Sequence, residues 1–366
     1  MAKVDGMPGP LVGPTFKKPV PMNPPLTAFD PEYLKRKAEL PEQIFRLKNG
    51  KQFSYFSEGN SEDKVVVFFP GAGIGKWMFV PREPIPGVFL VVIDNMGHGN
   101  SSPLEKIPVF SEDVEEIKEL LDELKIDKFY VAGHSCGGIH ASQVAVGMAD
   151  RVLGCAMIGS PCDVCHPGLS KAEAKKLDKE SGRSINSQGC FGGCIRSMMS
   201  GIYYFPDKTK DFGFAGHSYG GYGYYKGKYT GGAPLEMDSD HFFISKMLDG
   251  ELHGTNTKNG LLLEMQGIFS PWSFDVADIK CPTFIYNEGQ GEVHPDMARR
   301  NYELIPNSQL CIFKMHGHCS IVMECEKIIV GLVEGKLIES SYENSNPFSV
   351  DKAMPNCIIM KKEQQQ

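Results

Sequence analysis

The chain has 366 residues, with 38 basic and 45 acidic side chains and a formal net charge of −7. So mild an acidic excess leaves no basic footprint for nucleic acid and no polybasic membrane patch. At 41% apolar and 23% charged the composition excludes a mainly disordered chain, and no apolar run approaches the roughly 18 residues that span a bilayer.

Residues 1–41 are expected to form a proline-rich N-terminal arm. Met1 to Pro31 holds eight prolines and no apolar stretch of the secretory type, so neither a core nor an export signal is expected there. A cytoplasmic setting follows as the expectation, with the 11 cysteines mostly reduced thiols. Cys357-Ile358-Ile359-Met360 imitates a prenylation box, but six residues follow it, and such a box must be terminal.

Apolar residues on both sides of Asn49-Gly50 predict a hairpin closed by a type I′ turn. Continuous apolar runs at 65–69, 88–93, 129–132 and 153–158 predict buried strands. Helical spacing predicts helices at 111–124, with Ser111 as N-cap, and at 139–148. Buried strands alternating with helices mean a mostly parallel sheet covered on both faces. The rhythm is lost from Cys162 to Asp275, a stretch rich in glycine, cysteine and tyrosine. It resumes with a strand at 283–286, a helix at 295–305, a strand at 309–315 and a helix at 321–333. The expected organisation is therefore core at 42–161, insertion at 162–275, core again at 276–335 and a C-terminal tail at 336–366.

The chemistry starts at Gly133-His134-Ser135-Cys136-Gly137. This G-x-S-x-G lies directly between a predicted buried strand and a helix, where a strained turn exposes a nucleophile and tolerates only small flanking residues. Serine needs a base within hydrogen-bond reach. His318 follows the last predicted strand, at the same carboxyl edge of the sheet as Ser135, and is favoured over His316. A second G-x-S-x-G around Ser218 has neither a strand before it nor a helix after it, and reads as a glycine-tyrosine loop.

In these motifs the chain resembles the α/β-hydrolase family. Residues 65–73 look like its oxyanion strand and loop, residues 94–101 resemble its D-x-R-G-x-G-x-S turn with Met96 at the arginine position, and Gly317-His318 resembles the Gly-His of its base. The resemblance covers about 45–162 and 275–335. It implies an α/β-hydrolase fold with the insertion as a lid. It also implies an oxyanion hole of two backbone N–H groups. One belongs to Cys136, and Ala72, with Gly73 next, is the better source of the other because Pro70 has no N–H. The family's acid is usually an aspartate after the strand at 283–286, and no aspartate stands there. Glu292 is placed first, three residues after Gly289. Asp163, after the fourth strand, and Glu288, at the end of its own strand, remain open.

Cys162, Cys165, Cys190 and Cys194 are spaced too loosely to require zinc, so no metal is expected. His98 and His134 read as structural. The implied activity is that of a serine hydrolase acting by acyl transfer without a cofactor, on a small-molecule ester or lipid-like substrate with a partly apolar group. An aminopeptidase-like amide hydrolase and a non-catalytic hydrolase-fold binding protein are the alternatives.

Overall fold

A computed structural model of the chain describes residues 33–170, 172–173, 224–225, 228–229, 260–289, 293–314, 316, 318, 320–340 and 357–362. Among these residues the main sheet has nine strands in the order β1-β2-β4-β3-β5-β6-β9-β10-β11. They are β1 (Gln43–Arg46), β2 (Gln52–Glu58), β3 (Lys64–Phe69), β4 (Val88–Ile93), β5 (Phe129–His134), β6 (Val152–Ile158), β9 (Thr283–Glu288), β10 (Ser308–Phe313) and β11 (Cys357–Lys361). Two-residue strands β7 (Tyr224–Tyr225) and β8 (Lys228–Tyr229) pair with each other. Among the described residues the α-helices are α1 (Tyr33–Glu39), α2 (Phe110–Glu123), α3 (Cys136–Gly147), α4 (Gly260–Ile268), α5 (Pro295–Leu304) and α6 (Cys325–Glu334).

The central pairings, from β4 across β3, β5, β6 and β9 to β10, are all parallel. Parallel strands covered on both faces read as unbroken apolar runs, as KVVVFF in β3 and VFLVVI in β4 do. Alternate side chains still part company. Val67 and Phe69 join the core under α2, α3 and α5, while Val66 and Phe68 join the one under α6. The pleat dictates this split. Because the strands are parallel, their carboxyl ends at Phe69, His134, Ile158, Glu288 and Phe313 lie along one edge.

Three features depart from expectation. The hairpin of β1 and β2 forms, but only Gly50 has positive φ, at 86°. The N–H of Gly50 bonds to Leu47 O at 2.9 Å, and the N–H of Leu47 bonds to Lys51 O at 2.8 Å. Gly50 thus makes a bulge after an ordinary turn, not the type I′ turn that needs both central residues at positive φ. Helix α2 starts at Phe110, with Val109 as its N-cap and no side-chain cap bond. Packing sets this start: Phe110 is buried and meets His140, Trp272 and Phe274 edge-on. Finally, the region read as a tail supplies β11, antiparallel to β10. Its Cys-Ile-Ile-Met run is a strand with Cys357 buried against the sheet.

The last part of the N-terminal arm is likewise tied down, for Leu40 is buried and Arg36 pairs with Glu58. Residues 1–32, the Ser218 motif, Cys190, Cys194 and most of the insertion lie outside the described residues.

Candidate active site

Ser135 stands between β5 and α3 with φ 55° and ψ −124°. Non-glycine residues rarely adopt such a conformation, and strain of this kind persists only where the surroundings enforce it. Here they do. A Cβ on Gly133 would meet Gly137 O at 2.0 Å, and one on Gly137 would meet Phe69 O at 2.0 Å. Only glycine at both flanks lets strand, turn and helix close this tightly. The N–H of Ser135 is fixed on Ile158 O at 2.8 Å.

His318 is buried, and its Nδ1 lies 2.7 Å from Glu288 Oε1. Glu288 is the last residue of β9 and is fully buried. Its Oε1 also accepts the N–H of Val293 at 3.1 Å, which fixes the carboxylate from a second side. Gly159, at φ 55°, borders the pair: a Cβ there would come within 2.8 Å of Glu288 Oε2 and 3.3 Å of His318 Nδ1.

The carboxylate facing His318 is therefore Glu288, where Glu292 was expected; Glu292 lies outside the described residues. A glutamate at the strand end spans with its longer side chain the gap that an aspartate farther along the loop would fill. Asp163, the other alternative, is engaged elsewhere. Its Oδ1 accepts the N–H of Cys165 at 2.8 Å, and burial raises its pKa. His316 is also engaged apart from Ser135, with Nε2 2.9 Å from Ser340 Oγ and 3.3 Å from Glu324 Oε1. Cys162 is a buried thiol whose pKa burial pushes up to about 12.

The loop after β3 abuts the turn at Ser135. A Cβ on Gly71 would sit 3.2 Å from the Cβ of Ser135 and 3.2 Å from His134 Nδ1. The loop is braced from below by the turn after β4, where Asn95 Nδ2 donates to Pro70 O at 3.3 Å and Asp94 holds the ammonium of Lys76 at 2.6 Å. The N–H of Gly73 faces His98 Nε2 at 3.0 Å and Glu264 Oε2 at 3.1 Å. Gly73 is thereby spoken for, and Ala72 N–H has no partner among the described residues. Cys136 opens α3, where a helix leaves its first N–H groups without intrahelical partners.

Two residues of the site carry more than their sequence suggested. His134, read as structural, has Nε2 2.8 Å from His318 O. Glu264, in a stretch assigned to the insertion, is buried beside Cys136, His98 and His140. A signal for it was available: it is the lone charged residue in the apolar helix GLLLEMQGI, and such an acid is buried only with partners.

Residues 64–181 match the family described as alpha/beta hydrolase fold. The dihydrolipoyllysine-residue acetyltransferase component of the acetoin cleaving system of Cupriavidus necator is 32% identical over 113 residues, 30% of this chain and 30% of that protein. The chain thus matches under a third of that relative's length. Among solved structures, the enol-lactonase of Burkholderia xenovorans LB400 aligns over 80% of this chain and 100% of its own, with TM-score 0.56 and 16% identity. A thermophilic esterase of Thermogutta terrifontis aligns over 81% of this chain and 97% of its own, with TM-score 0.57 and 14% identity. At such identities the structural likeness concerns the fold. Topology, the local sequence match and these neighbours agree that the chain has the α/β-hydrolase fold.

Proposed function

We propose that the chain is a serine hydrolase working by acyl transfer on small carboxylic esters, with Ser135 as nucleophile, His318 as general base and Glu288 as the acid that orients the base. The observation that carries this reading is the buried 2.7 Å contact between His318 Nδ1 and Glu288 Oε1, at the sheet edge where Ser135 holds its strained turn. A carboxylate on Nδ1 fixes the tautomer whose Nε2 takes the serine proton, and it stabilises the imidazolium that forms. Ser135 Oγ attacks the ester carbonyl. The N–H groups of Cys136 and Ala72 hold the negative oxygen of the tetrahedral intermediate. The imidazolium then protonates the leaving alcohol, and water activated by the same histidine releases the acid and restores Ser135. No electrons are transferred and no cofactor is required by this chemistry.

The esterase and lactonase among the structural neighbours support an ester carbonyl as the target. The test is labelling with a fluorophosphonate probe followed by peptide mapping of the adduct, alongside turnover of a short-chain aryl ester. The adduct is expected on Ser135, and Ser135→Ala should lose both the label and orders of magnitude of turnover. An unlabelled wild-type protein without turnover would overturn the enzymatic reading in favour of a binding protein.

A further inference from the structure

Glu264 reaches the site from α4, outside the elements that carry Ser135, His318 and Glu288. Its side chain is buried, and both oxygens are engaged. Oε1 accepts the thiol of Cys136 at 3.3 Å. Oε2 accepts the N–H of Gly73 at 3.1 Å and lies 3.1 Å from His98 Nε2. His98 is steadied in turn by Nδ1, 3.3 Å from Met96 O. One carboxylate therefore touches both segments that the proposed oxyanion hole needs: the residue after Ala72 and the side chain of Cys136.

We propose that Glu264, paired with His98, is a positioning residue for the oxyanion hole: it fixes the Gly73 turn against the Cys136 end of α3, so that the N–H groups of Ala72 and Cys136 converge on the acyl oxygen. This inference rests on the acyl-transfer reading of Ser135. Its electrostatics are self-consistent. Burial opposes charge on both partners, yet each holds the other charged, with the carboxyl of Glu264 below and the imidazole of His98 above its ordinary range. The pairing also has a purpose. A bare carboxylate behind the hole would repel the oxyanion as it forms, and a proton held on the adjacent His98 ring would offset that repulsion.

The same pocket brings a thiol, an imidazole and a carboxylate, from Cys136, His140 and Glu264, within 4.8 Å of one another. A chelate is the rival reading of the cluster. The hydrogen bonds favour positioning, because the Glu264 oxygens already take the Cys136 thiol, the Gly73 N–H and the His98 ring.

The experiment compares wild type, Glu264→Leu and the isosteric Glu264→Gln. It measures kcat and KM for a short-chain aryl ester, affinity for a trifluoromethyl ketone that forms a serine hemiketal, and the rate of fluorophosphonate labelling. Removing one oxyanion donor outright costs about 10²–10³ in kcat, so displacing the loop should cost Glu264→Leu roughly 10- to 100-fold. KM should move less than about threefold, and ketone affinity should fall in step with kcat/KM. Glu264→Gln keeps an acceptor for Gly73 and should recover much of the loss. Should Glu264→Leu not fold, Glu264→Met, which also lacks the acceptor, takes its place: ketone affinity and labelling rate equal to wild type in it overturn the proposal. A lower melting temperature with unchanged kcat in Glu264→Leu overturns it too, since that makes Glu264 merely structural. Stoichiometric zinc in the purified protein, with activity lost to a chelator, overturns it in favour of a chelate. A wild type that Ser135 labelling never marks overturns the acyl-transfer reading and this proposal together, whereas a labelled wild type with unaffected Glu264 variants overturns the proposal alone.

Discussion

The Nε2 of His134 lies 2.8 Å from the carbonyl oxygen of His318. A ring nitrogen facing a carbonyl must carry the proton, so His134 donates. Burial, followed by the nearness of His318, pushes its pKa well down, so the ring stays neutral. The two imidazoles sit 4.7 Å apart at 39°. The residue just before the proposed nucleophile thus holds the main chain of the proposed base, and the elbow and the base loop become one unit.

His134→Phe keeps a ring in place but deletes this donor. One hydrogen bond is worth about 1 kcal/mol net, so kcat should fall roughly three- to tenfold with KM little changed. Steady-state kinetics on an aryl ester check this. An unaltered kcat would mean that the His318 loop needs no support from the elbow.

A second buried histidine is expected to lower stability in acid. His140 packs between Phe69 and Phe110, at ring distances of 5.8 and 5.4 Å. Glu264 favours its charged form and His98 opposes it, while Asp113 lies 3.7 Å away. Burial dominates and lowers its pKa from 6.5 to about 4. Between those values the unfolded chain takes up a proton that the folded chain refuses, so stability falls as pH falls. The slope is about 1.4 kcal/mol per pH unit for one such histidine. Urea unfolding at pH 6.5 and pH 5 should therefore show a larger loss in wild type than in His140→Phe, by roughly 1.5 kcal/mol. Comparing the two proteins cancels the other titrating groups. Equal losses would place a charged His140 in the folded state.

The sheet was legible because buried parallel strands leave continuous apolar runs, and β4 occupies the predicted span itself. The strained turn at Ser135 was legible because glycine is forced at 133 and 137 by backbone contact. What escaped was set by tertiary contact. Phe110 begins α2 through ring packing that no capping pattern announces. Strand β11 needed the partner β10 to reveal five residues as sheet. The carboxylate facing His318 was placed first elsewhere for a related reason: loop spacing points to Glu292, whereas reach from the end of β9 brings Glu288, one of the open alternatives, to the ring. Sequence spacing measures distance along the chain, and a glutamate at a strand terminus covers its gap with side chain instead.

Gly159 offers a test of how tightly that pair is enclosed. Its φ of 55° disfavours any L side chain, and an added Cβ would press on Glu288 Oε2 at 2.8 Å. The obstructing atoms belong to the proposed acid and base, not to a passive surface. Gly159→Ala should therefore cost activity beyond its cost in stability, with kcat lowered at least tenfold in protein that remains folded by circular dichroism. A variant that loses melting temperature but keeps full kcat would show that the pair has room to shift.

The strongest discrimination concerns the acid itself. Glu288→Gln preserves the shape and volume of the side chain but removes its charge. Its amide can turn either oxygen or nitrogen toward His318 Nδ1, and the second choice imposes the wrong tautomer. Neutralising a triad acid costs roughly 10⁴ in kcat where the geometry stays intact, so Glu288→Gln should lose about 10³–10⁴ with little change in KM. Glu288→Asp retains the charge but falls about 1.5 Å short, one carbon–carbon bond, and should recover only part of that loss. Glu292→Gln and Asp163→Asn should be mild, since Asp163 is committed to the Cys165 turn. The decisive measurement is kcat for all four variants on one substrate. A crippled Glu292→Gln beside an active Glu288→Gln would return the role to the loop, and would make the 2.7 Å contact of His318 with Glu288 a structural pairing only.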